Sequence, residues 1–144
     1  MRQLLTVLLL LITLNGYSQY KGTPGKAKSS LEKSMLKTDI EEKRGLLTIA
    51  KGEIDAAILN EKQNTKANTW LIRGDVYAEI AKSLPDLDLE AIEKSVKAYD
   101  KIGSEIRTKD LTIIQNVNAG KQNLSSFFVN KAITALQGSG DPDY

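Results

Sequence analysis

The chain contains no cysteine and no histidine, and those two absences remove whole classes of chemistry. Without cysteine there is no disulfide, no thiolate nucleophile and no acceptor for a lipoprotein anchor, so stability must come from packing alone. Without histidine the commonest general base and the imidazole metal ligand are missing. An excess of one charge is lacking too. Twenty basic and eighteen acidic residues leave +2, and the lysines are interspersed with Glu and Asp instead of forming the basic stripe that follows a nucleic-acid backbone. No stretch alternates apolar and polar residues as a half-buried strand does, and no hairpin dipeptide separates apolar runs, so α/β and all-β folds have no support. Charged residues at 26% and hydrophobic ones at 41% nonetheless lie in the globular range, and a packed core is expected.

What is present begins with one apolar run. Met1-Arg2-Gln3, the nearly all-apolar residues 4–14 and Asn15-Gly16-Tyr17-Ser18 have the charged, apolar and small-residue regions of a secretory signal peptide. A bilayer span needs about twenty apolar residues and this run has roughly half that. The sequence therefore predicts a signal peptide over residues 1–18, cleavage before Gln19, an exported protein that is periplasmic or secreted, and no stable membrane anchor after cleavage.

Residues 19–28, rich in Gly, Lys and Pro, read as a flexible lead-in. Ser29-Ser30-Leu31-Glu32 has the form of a capping box that starts a helix, and Thr38-Asp39-Ile40-Glu41 repeats it. Either a second helix starts at Thr38 or one long helix runs through. Helical spacing then puts Ile40, Leu47, Ala50, Ile54, Ala57 and Ile58 on one buried face of a helix ending near Asn60, with residues 61–64 as a turn. A second face holds Ala67, Trp70, Leu71, Gly74, Tyr77, Ala78 and Ala81, until Pro85 stops the ladder. A third holds Leu89, Ile92, Val96, Tyr99, Ile102 and Ile106. The last segment, about 111–136, carries Ile114, Leu124, Phe127, Phe128, Ala132, Ala135 and Leu136, and Gly138-Ser139-Gly140 ends it. The chain is expected to be all-α, with a helical domain over 29–138 and a turn over 139–144 that could open a further unit. The apolar last helix needs a neighbour, so the chain is expected to continue into further repeats or to self-associate.

Trp70-Leu71-Ile72-Arg73-Gly74-Asp75-Val76-Tyr77 carries three of the four markers of W-x₂-L-G-x₂-Y and resembles the first helix of a tetratricopeptide repeat (TPR), with Arg73 at the leucine position. The resemblance implies antiparallel helix pairs stacked as a short right-handed solenoid. It also implies a partner helix in which Ser95 and Tyr99 take the small and aromatic positions, with Gly74 letting that helix approach. Ile102 stands where the family has alanine. A Trp/Gly/Tyr face at helical spacing also occurs in helical bundles outside any repeat family. In the repeat, the first helix of each pair lines a concave groove, and the pattern maps Asn68, Asp75 and Glu79 onto groove-facing positions.

No catalytic constellation, metal site or cofactor is expected. Asp86-Leu87-Asp88-Leu89-Glu90 lacks the glycine turn and ligand set of a calcium loop, and Asp88 reads as a helix cap. The expected function is an interaction module, not an enzyme, that holds a peptide or partner subunit in its groove. The other reading is an accessory, non-catalytic domain of a cell-envelope enzyme or assembly.

Overall fold

The computed structural model describes residues 20–138; the expected signal peptide and the turn over 139–144 lie outside the described residues. The fold is all-α. Helices α1 (Pro24–Met35), α2 (Ile40–Ile58), a single-turn α3 (Glu61–Asn64), α4 (Ala67–Ser83), α5 (Ala91–Ser104) and α6 (Leu111–Gly138) follow one another, with a 3₁₀ turn at Pro85–Leu87. α1 packs on α2, α2 on α4, and α4 on α5 and α6, while α1 and α6 both rest against α4.

The expected lead-in is largely helix. Pro24 sits in the first turn of α1, where its fixed φ is favourable and its missing N–H costs nothing. The segment ahead of it is fastened to α2. The Tyr20 ring fills the space a side chain on Gly52 would occupy, and Gly22, at φ +68°, lies so near the Ala56 backbone that a Cβ would approach its carbonyl carbon to 2.9 Å. Glu53, fully buried on α2, accepts from the Thr23 N–H at 3.0 Å and the Lys26 ammonium at 2.7 Å. Burial pushes the Glu53 carboxyl up, but the Lys26 ammonium and the Thr23 N–H reverse this and hold it below the ordinary value. The Ser29-Ser30 box is not the start of the helix. Ser30 and Ser34 are instead small buried residues of α1.

Two helices, not one, cover the next stretch, and Asp39 opens the second by accepting from the Glu42 N–H at 2.8 Å. Leu47, Ala50, Ile54 and Ala57 are completely buried, whereas Ile40 is exposed at the outer end of α2. The polar residues 61–64, expected as a turn, close one helical turn capped by Asn60.

α5 presents a different face from the one its large residues suggest. Ala91, Ser95, Ala98, Tyr99 and Ile102 are buried, while Leu89, Ile92 and Val96 are exposed. The reason is the short distance to α4 at Gly74, where only small residues and one flat ring fit between the helices. In α6, Val117 and Leu124 are buried and Phe127 and Phe128 half-buried, but Ile114, Ala132 and Ala135 are exposed. This helix has 28 residues against 17 in α4 and outruns the layer beneath it.

Candidate functional site

One side chain ties the layers together. The Tyr99 ring lies against both Gly74 on α4 and Gly120 on α6: a Cβ on Gly74 would overlap the ring, and one on Gly120 would lie 2.5 Å from the hydroxyl oxygen. Ser95 fixes the same crossing by donating from Oγ to the Gly74 carbonyl at 2.8 Å. The expected approach at Gly74 is present, with a second glycine on α6 that the spacing did not signal.

Threaded between the two glycines, the Tyr99 hydroxyl emerges on the far side of α4 and donates to Asp75 Oδ1 at 2.7 Å. There it helps floor a groove walled by α1 and α6. The groove consists of two adjoining clefts of about 250 and 350 Å³ that share Lys28, Leu31 and Asp75. All three sequence-selected residues line it, but they differ in state. Asn68 is exposed at one end, beside Asn116 and Asp110. Asp75 is half-buried on the floor. Burial raises its carboxyl above the usual range, and the Tyr99 hydroxyl, Lys82 and Lys28 only partly offset that. It accepts from the tyrosine hydroxyl, and among the described residues no lysine or arginine forms an ion pair with it. Glu79 is buried and engaged by Lys43 at 3.6 Å, Lys82 at 3.5 Å and the Ser83 hydroxyl. It braces α2 against α4 rather than standing ready for a ligand.

The opposite side of α4 carries a charge network that sequence spacing did not pick out. Tyr77 donates to the Asp55 carboxylate, with oxygens at 2.7 and 2.9 Å, and Arg73 pairs with the same group. Arg73 stands where the sequence resemblance would put leucine, and Asp55 on α2 is the reason a cation suits that position. Lys51 and Lys94 meet at Asp88, which also accepts from the Glu90 N–H at 3.0 Å. The residue at the cap of α5 is Glu90, with no side-chain bond to the helix, so Asp88 is an ion-pair partner just ahead of α5 and not the cap its sequence position suggested. Trp70, half-buried, donates from Nε1 to the Asn64 carbonyl at 2.7 Å and lies under Lys101, 4.6 Å from the ring centroid.

Among the described residues no group of three or more acidic side chains could hold a metal ion, and no helix is long and apolar enough to cross a membrane. Comparison with protein-family models, curated proteins and solved structures found no match.

Proposed function

We propose that this chain is an exported interaction module of TPR type that holds an extended peptide in the groove between α1 and α6, with Asp75 as the anchor for a basic side chain. The observation that carries the reading is the order of packing. α1, α4 and α6, the leading helices of successive pairs, lie side by side along the groove, while α2 and α5 back them. This is the arrangement a right-handed solenoid of helix pairs would produce. The Trp70-to-Tyr77 pattern, the glycine at the helix crossing and the N-terminal apolar run support the same reading. A half-buried carboxylate without an ionic partner favours a ligand cation, because pairing returns the stabilisation that desolvation removes.

The test uses arrays of extended peptides, each carrying a single Lys or Arg, with acidic versions of the same peptides as controls. Basic peptides should bind the parent and bind Asp75→Asn about tenfold more weakly, with Asn68→Ala weakening them further. Equal binding of the acidic set, or an undiminished signal with Asn68, Asp75 and Glu79 all changed to alanine, would overturn the groove assignment. Asp75→Asn should melt no lower than the parent. A carboxyl raised on folding adds stability only while protonated, below its unfolded value, and that contribution is lost as pH rises through the folded one. At neutral pH the amide therefore removes a burdened charge.

A further inference from the structure

A second cavity, away from the groove, lies where α5 hands over to α6. α5 breaks at Ile102 and Gly103, the latter at φ +104°, a conformation suited to glycine. The following loop is held in place: the Gly103 N–H donates to the Ile106 carbonyl at 3.0 Å, the Ile106 N–H to the Lys101 carbonyl at 3.0 Å, and the Asp110 N–H to the Thr108 hydroxyl at 3.1 Å. Behind it opens a cleft of about 620 Å³, in the size range of small-molecule sites. Its apolar wall is Ile102, Ile114 and Val117, and its charged rim is Arg107, Lys109 and Lys121. No carboxylate lines it. Lys121 is paired with Asp100 at 2.5 Å, whereas the Arg107 and Lys109 side chains have no partner among the described residues. Two uncompensated cations therefore stand beside an apolar wall, and α6 supplies Ile114, Val117, Asn118 and Lys121 at the spacing of one helix face.

We infer that this cavity binds a small amphiphilic carboxylate of the medium-chain fatty-acid class, its carboxylate between Arg107 and Lys109 and its alkyl chain against Ile102, Ile114 and Val117. The argument is complementarity of both kinds at once. A guanidinium can engage a carboxylate through two N–H groups, and Ile114, the exposed member of a wall whose Ile102 and Val117 are already buried, gains by shedding water against methylenes. Neither part alone accounts for the site, since a simple anion leaves the apolar wall wet and a neutral chain leaves two cations unmatched. The inference is independent of the peptide groove, with which the cavity shares none of its lining residues.

Calorimetric titration of the full chain with decanoate, below its micelle concentration, tests it alongside decanol and acetate. Backbone amide shifts at Gly103 and Asn118 report the location. Decanoate should bind saturably, one per chain, with a dissociation constant on the order of 0.1 mM, and should shift those amides. Arg107→Gln with Lys109→Gln should weaken it about tenfold. Asn118→Trp, at an exposed position on the cavity wall, should block it without changing the melting temperature. Decanol binding as well as decanoate would show a merely apolar cleft, and acetate binding as well would show a merely cationic one. Either result overturns the inference, as do unchanged affinity in the double variant and shifts confined to other helices.

Discussion

α4 and α6 make an instructive pair, because the longer and more uniformly apolar of the two is the less buried. In α4, 11 of 17 residues are buried, among them a glycine, three alanines, a threonine and a glutamate. In α6, only Val117 and Leu124 are buried among residues 111–137, although the helix carries two phenylalanines, three isoleucines, two valines and three alanines. The difference lies in position. α4 is enclosed by α1, α2, α5 and α6, so whatever points outward from it meets another helix. α6 rests on the core only as far as Phe128, and residues 129–137 are exposed. Burial here follows how many helices surround a segment, and hydrophobicity follows what that segment can tolerate.

The contrast breaks first at the helix crossings. Gly74→Leu should destabilise by a few kcal/mol, on the order of 3, since the new side chain must displace the Tyr99 ring and the α4–α5 pair with it. Ala132→Leu on the exposed half of α6 should change stability by less than about 0.5 kcal/mol. Chemical denaturation of both variants measures the gap, and equal midpoints would void the comparison. Next in size is Trp70→Ala. Because the ring is half-buried, its loss should cost about 2 kcal/mol, below the 3–5 typical of a fully enclosed aromatic, and thermal melting beside Gly74→Leu would rank the two.

Glu53→Gln should cost about 1.5 kcal/mol at neutral pH by loosening the charged hydrogen bond to Lys26. Its pH dependence has a definite sign. A carboxyl held low in the folded state contributes stability that is present above its unfolded value, near 4.5, and is lost as pH falls through the folded one. The parent should therefore lose stability below about pH 4.5 more steeply than Glu53→Gln, and urea titrations at stepped pH would show parallel curves if the pair contributes nothing. The smallest effect is expected on the exposed face of α6. Val129→Lys with Ile133→Lys should leave the melting midpoint within about 0.5 kcal/mol of the parent while lowering the oligomer mass seen by light scattering, if that face drives self-association.

The helical class and most of the helix positions were legible because the signals are local: apolar spacing near 3.6 residues and a proline at 85. The approach of Tyr99 to Gly74 was also legible, because a glycine between a tryptophan and a tyrosine has few other uses in a helix. What misled were sites where a distant partner decided the outcome. Pro24 and Gly25 read as a flexible lead-in, yet Glu53, about thirty residues away in sequence, accepts from the residue just before the helix and holds its start. Large aliphatics marked the wrong face of α5, since a close helix crossing selects Ala91, Ser95 and Ala98 over Ile92 and Val96. Glu79 lines the cleft but is occupied by Lys43 from α2, a contact no spacing within α4 could reveal. Asp55 went unnoticed because an isolated aspartate on a helix has no signature until Arg73 and Tyr77 are brought to it.

The length of α6 has a mechanical consequence. At about 1.5 Å of rise per residue, 28 residues make a rod of about 42 Å, against about 26 Å for α4. The rod is clamped where Gly120 meets the Tyr99 hydroxyl and held again by Leu124 and Phe128 on the core, and residues 129–137 beyond them are exposed. A tilt of a few degrees at that clamp would sweep the far end through several times the displacement felt at Gly120. The same tyrosine hydroxyl touches Asp75 on the groove floor, so the clamp of the lever and the floor of the groove meet at a single atom.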